Sequence, residues 1–262
     1  MLPDSLVDQS DQSPTGPLED IVGEAQRIMA AAEAGDVPAR LIGGLAVRLH
    51  VPPGEQPLMT RVYKDIDLAA PRGKGKAVSQ LLTDLGYEPD RAFNATNGHS
   101  RLLFFDPPHG RQLDVFIGSF EMCHEIPLSD RITSTPIGIP LAELLMTKLQ
   151  VVELNPKDQT DILTILYHHD LADDDEHINQ ARVAAMCAAD WGLWRTTKLN
   201  VERVHQGLVE TQLSDDQRTV IADRLDRLWQ RIEAEPKSRK WKMRARVGDK
   251  IRWYQEPEEV DQ

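Results

Sequence analysis

Asp65 and Asp67 stand two apart in Lys64-Asp65-Ile66-Asp67-Leu68. On an extended chain, side chains two apart share a face, so these carboxylates project together while Ile66 and Leu68 turn to the core. Like charges at that separation repel. A divalent cation removes the conflict, because hard carboxylate oxygens suit Mg²⁺. Asp114, in Leu113-Asp114-Val115-Phe116-Ile117, points away from Leu113 and Val115. If the two segments are neighbouring strands, three carboxylates converge in the arrangement that two-metal phosphoryl or nucleotidyl transfer needs. A half-buried antiparallel strand also generates an Asp-x-Asp pair by simple alternation, with no metal involved.

Gly43-Gly44 lies just before a helical stretch. A double glycine there lets backbone amides approach a phosphate, and a helix N-terminus adds positive potential. A tight turn needing a positive φ is the plainer explanation. Other motifs carry less. Arg72-Gly-Lys-Gly-Lys76 lacks the spacing and hydroxyl of a P-loop and reads as a solvated turn. His168-His169 closes a helix, where a cation is favourable anyway, and Cys123-His124 reads as packing. There is no Gly-x-Ser-x-Gly and no dinucleotide fingerprint.

Taken in order, Gly43-Gly44, Asp65-Ile66-Asp67-Leu68 and Asp114 resemble the signature of the polymerase-beta-like nucleotidyltransferases: a glycine turn, a two-acid strand and a third acid on a later strand. Arg61-Val-Tyr-Lys-Asp-Ile-Asp-Leu68 is similar to the version found in the branch of AbiEii-type toxins of type IV toxin–antitoxin systems. Lys148-Leu149 and Lys157-Asp158-Gln-Thr-Asp161-Ile162 fill the places of that branch's Lys-Leu and Asp-x-x-Asp motifs. The likeness covers residues 20–168. Tyr63 stands where the branch usually has Thr, and Gly44 where many relatives have Ser.

The resemblance implies an α+β fold, with a nucleotidyltransferase-type mixed β-sheet flanked by helices and then a helical C-terminal half. It implies an enzyme that moves a nucleoside monophosphate from a nucleoside triphosphate to an acceptor hydroxyl, and the cysteine count adds the expectation of a cytoplasmic location. Asp65, Asp67 and Asp114 would hold the metal, two Mg²⁺ ions in the usual pattern, with Asp114 also helping to activate the hydroxyl. Gly43, Gly44, Arg61, Lys64 and Lys148 would meet the triphosphate, and Asp158 and Asp161 would orient Lys148 or the substrate. The toxin branch implies RNA, notably tRNA 3′ ends, as acceptor, and an antitoxin protein as partner. A small molecule such as an aminoglycoside, or a protein side chain, is the alternative acceptor. A catalytically inactive nucleotide-binding module is the alternative of another class.

The elements that must position these residues follow from periodicity. Residues 1–17, rich in Asp, Gln, Ser and Pro, read as a loose arm. Residues 18–34 have helical spacing, Gly43–His50 forms a short helix, and residues 61–70 alternate as a strand. Residues 76–85 form a helix, and 101–105 with 112–117 form a hairpin around Asp106-Pro-Pro-His-Gly110. Helices are expected over 141–154, 156–168, 178–190, 200–212 and 215–234, with an acidic joint at 171–177. The organisation is thus an α/β core over 18–139, a helical domain over 140–235 and a basic tail over 236–262.

Composition bounds the rest. The 262 residues carry 30 Lys and Arg against 42 Asp and Glu, a net charge of −12, which argues against indiscriminate nucleic-acid coating. The charge is uneven: residues 236–252 hold eight bases and a single acid, Asp249. Trp241, Trp253 and Tyr254 lie within or beside that strip, a mixture that suits single-stranded nucleic acid or, equally, packing on the acidic body of the same chain. Two cysteines cannot make a disulfide framework, which points to a reducing compartment. No stretch reads as a signal peptide or membrane span, so no membrane partner is expected.

Overall fold

The computed structural model describes residues 16–256, so the expected arm at 1–17 falls, apart from Gly16 and Pro17, outside the described residues. The chain opens with α1 (Ile21–Ala34), whose first amides donate to the Asp20 carboxylate and whose inner face buries Ala25, Ile28, Met29 and Ala32. Then follow β1 (Arg40–Ile42), α2 (Gly43–His50), β2 (Ile66–Ala70), α3 (Gly75–Asp84), β3 (Glu88–Pro89) and α4 (Arg91–Asn97). β4 (Arg101–Asp106) and β5 (Arg111–Ile117) complete a five-stranded sheet in the order β1-β2-β5-β4-β3.

The sheet is mixed. β2 and β5 run parallel, and every other pair is antiparallel. A parallel pair needs a long crossover, and residues 71–110 supply it, carrying α3, α4 and the first arm of the β4–β5 hairpin. Apolar residues alternate onto one face of β5, where Leu113, Val115 and Ile117 are buried, while Gln112, Asp114 and Phe116 occupy the other.

The strand expected over 61–70 begins only at Ile66. β1 ends at Ile42 opposite Asp67, and Gly43 turns the chain away, so residues 61–65 have no ladder on that side. α4 was not expected; Asp90 caps it by accepting from the Phe93 amide.

A small hairpin of β6 (Ser119–Glu121) and β7 (Glu125–Pro127) leads to the helical half. There α5 (Leu141–Leu149) and α6 (Pro156–His168) precede the two-residue strands β8 (Leu171–Ala172) and β9 (Ile178–Asn179). α7 (Gln180–Ala189), α8 (Trp191–Gly207), α9 (Asp215–Ala234) and α10 (Arg239–Val247) follow. α5 stops at Leu149 instead of running to 154, because the Asn200 side chain donates to the Leu149 and Val151 carbonyls at 2.9 and 2.6 Å and so satisfies the helix end. α8 starts at Trp191, nine residues before the expected helix at 200, since Asp190 accepts from the Leu193 amide as its cap. One contiguous apolar core runs through both halves, from Ile28 and Leu68 to Leu145, Ile162 and Leu225.

The basic tail is in part a helix packed on its own protein. Trp241 of α10 donates its indole N–H to the Cys187 carbonyl at 3.1 Å, and Trp253 donates to Thr196 at 3.0 Å. All five tryptophans meet in this corner: Trp194 lies 5.2 Å from Trp241, 6.0 Å from Trp229 and 6.4 Å from Trp191, which is 6.3 Å from Trp253. No helix among the described residues is long and apolar enough to cross a membrane.

Candidate active site

The carboxylates gather where β1, β2 and β5 run side by side. Asp67 is in register with Asp114 on the parallel strand beside it and with Ile42 on the antiparallel strand on its other flank. In-register partners on adjacent strands share a face, so Asp67 and Asp114 are immediate neighbours. Asp65 precedes the strand by one residue and is exposed at its entrance.

Gly43 is required by its backbone, and Gly44 lies close under a side chain. Gly43 has φ +72°, a left-handed conformation, and a Cβ there would run into the Asp67 carboxylate. A Cβ on Gly44 would meet the Arg61 guanidinium, 2.6 Å from Nη2. The preceding residue, Ile42, has no side-chain acceptor, so α2 begins without a side-chain cap on its first amides.

Asp114 is 4% exposed and well held. Arg101 Nε donates to one oxygen at 2.7 Å, and Gln112 Nε2 donates to the other at 2.7 Å. The Arg101 guanidinium also lies over the rings of Phe116 (5.3 Å) and Phe93 (5.8 Å). Asp67 has no such partner. Burial, and then the charge of Asp114, push its carboxyl up to about 7, against opposing pulls from Lys148 and Arg101. Asp65 is raised as well, first by desolvation and then by Asp114, with Lys157 and Lys64 opposing.

A second ionic cluster adjoins this one from the helical half. Lys148 Nζ, near the end of α5, donates to Asp158 at 2.9 Å and lies 3.0 Å from Asp161, both on α6. Asp161, 1% exposed, also accepts from Arg61 Nη1 at 2.6 Å through each oxygen. Burial works against the Lys148 ammonium, but Asp158 and Asp161 more than offset it, and its pKa is raised. Arg61 spans the two clusters: it pairs with α6, lies over the Tyr63 ring at 4.9 Å and covers Gly44, while its buried Nε has no hydrogen-bond partner.

The structure therefore brings Gly43, Gly44, Arg61, Asp67, Asp114, Lys148 and Asp158 into one neighbourhood. Lys64 is exposed and acts there only through its charge on Asp65. The guanidinium of Arg61 and the ammonium of Lys148, expected to meet a triphosphate, are both held by carboxylates, Lys148 by the Asp158 and Asp161 expected to orient it or the substrate. Arg101 and Gln112 were not singled out from the sequence. Alternation placed Gln112 on the face of Asp114, and the hairpin register, Arg101 opposite Phe116, would have placed Arg101 there too.

The donor chemistry fits a hard divalent cation: an under-compensated, half-buried carboxylate beside a buried one, with a third at the edge. Among the described residues, no three His, Cys, Asp or Glu side chains are gathered closely enough to hold a metal by themselves. The residues thus present a pair, Asp67 and Asp114, with Asp65 at its rim.

No family model matches the chain. No curated protein matches it either. Among solved structures it is distantly similar to ANT(2″)-Ia in complex with adenylyl-2″-tobramycin, with 17% identity and a TM-score of 0.34 over 52% of this chain and 78% of that one.

Proposed function

We propose that the chain is a divalent-metal-dependent nucleotidyltransferase that moves a nucleoside monophosphate from a triphosphate to an acceptor hydroxyl and releases pyrophosphate. The observation that carries this reading is the in-register pair Asp67 and Asp114 beside a glycine turn whose Gly43 leaves room for the Asp67 carboxylate. Asp67, with Asp114 and Asp65, would hold Mg²⁺, which when bound neutralises charge on the phosphates and the attacking oxygen. The uncapped amides at the start of α2 suit phosphate oxygens. Arg61 and Lys148 supply positive charge at the same end of the site, and Asp158 and Asp161 keep both cations in place until an anion competes for them. Asp114 would help to activate the acceptor hydroxyl.

Two acceptors suit different parts of the molecule. RNA, with the chain acting as the toxin of a toxin–antitoxin pair, is favoured by the exposed cations Arg239, Lys240, Lys242, Arg246 and Arg252 around α10. A small hydroxylated molecule is favoured by a cavity of about 440 Å³ that has Arg101 and Phe116 in its wall, along with Phe93, Ser119 and Glu121. Incubation with α-labelled nucleoside triphosphates and Mg²⁺, against bulk RNA and against a panel of aminoglycosides, separates the two. Label is expected in one acceptor only, and transfer that survives Asp67→Ala would overturn the whole assignment.

A further inference from the structure

The cation that holds Asp114 is built into the fold. Arg101 reaches it from the neighbouring strand β4 with Nε at 2.7 Å, and the rings of Phe93 and Phe116, 5.8 and 5.3 Å from the guanidinium, keep the group from swinging away. With Gln112 on the other oxygen, both oxygens of Asp114 already accept a hydrogen bond. The nearby cluster is balanced within itself, since Arg61 and Lys148 are matched by Asp158 and Asp161. Asp65, exposed at the rim, is offset by Lys64 and Lys157, which leaves Asp67 and Asp114 against Arg101, a surplus of one negative charge. One divalent ion more than neutralises that surplus, and a second would have to enter a partly buried site that is already positive, at a steep electrostatic cost.

We propose that Arg101 stands in for a second metal ion at Asp114, so that the nucleotide-free site takes a single divalent cation centred on Asp67. This rests on the nucleotidyltransferase reading and refines it: Arg101 is a positioning residue that acts on the acceptor side through Asp114. The cavity that shares Arg101 with the site then meets a fixed guanidinium where a second, exchangeable ion would otherwise be.

The test counts Mn²⁺ bound per chain in the full-length, nucleotide-free protein by electron paramagnetic resonance. The wild type is expected to bind one ion, Arg101→Gln two, and Arg101→Lys one again because the positive charge is restored. Two ions in the wild type would overturn the inference while leaving the enzyme reading intact, and so would a single ion in a folded Arg101→Gln. No ion in any form would also overturn the inference, since metal would then enter only with the triphosphate. Because the wild-type count alone can overturn the inference, it stays falsifiable even if Arg101→Gln fails to fold; thermal melting of each variant identifies that case.

Discussion

Two pairs of aspartates lie close together in this molecule and are treated in opposite ways. Asp158 and Asp161 on α6 are met by Lys148 and Arg61, so burial costs them little, and the cluster ties the approach to β2 to the helical half. Asp67 and Asp114 are neighbours on parallel strands with a single guanidinium, Arg101, on the far side of Asp114, and Asp67 is left with no direct partner. A fold that neutralises one acid pair with two cations leaves the other short of charge, and under the proposed reading a divalent cation would supply it. Compensation marks a joint; its absence marks a site.

The largest effect should come from the uncompensated pair. Asp67→Ala is expected to lower nucleotide transfer by about a thousandfold or more, measured with labelled triphosphate, and to abolish any rise in melting temperature on adding Mg²⁺. Without metal, Asp67→Asn should melt no lower than the wild type at pH 8, since it removes a repelled charge. The compensated pair should behave in the opposite way. Asp161→Ala leaves Arg61 and Lys148 without their shared partner and is expected to cost about 3 kcal/mol in urea unfolding. A loss of stability at Asp67 as large as that at Asp161 would erase the distinction between the pairs.

The pH dependence sharpens the contrast. The Asp67 carboxyl is raised in the folded chain to about 7, so between roughly pH 4, where the unfolded carboxyl titrates, and about 7 the folded state holds a proton that the unfolded state has lost. The contribution of this group to stability therefore falls as pH rises through that window, and Asp67→Asn should flatten that part of the melting-temperature profile. Metal must displace the same proton, so Mn²⁺ affinity should drop by about tenfold per pH unit below 7 in a calorimetric titration. The smallest effect is expected at Lys64, which is exposed: Lys64→Ala should raise the KM for the triphosphate about threefold at low salt, and less at high salt.

The parts of the site legible in the sequence were those governed by local rules. The two-residue period of a strand placed Asp67 and Asp114 on matching faces, and the glycine pair announced a turn that side chains would obstruct. Pairings across many residues were not legible. Nothing in the segment around Arg61 reveals that its guanidinium is held by Asp161, 100 residues on, because that contact depends on how α6 docks against the sheet. Arg101 was reachable only by carrying the hairpin register through. The start of α4 was missed although Asp90 is an ordinary helix cap, since it follows a stretch with no clear apolar period, and that of α8 was missed although Asp190 caps it, because it follows α7 with only that one residue between. In the tail, composition counted cations and rings correctly but could not say which surface the rings face. Trp241 and Trp253 use their N–H groups inside the fold.

The tryptophan corner has a practical consequence. Every indole of the chain sits in the helical half or its closing segment, and none in the sheet that carries Asp67 and Asp114. Intrinsic emission is therefore a reporter of one half of the molecule alone. A denaturation curve followed by fluorescence, overlaid on one followed by the far-ultraviolet signal of the whole backbone, reads directly whether sheet and helices come apart together.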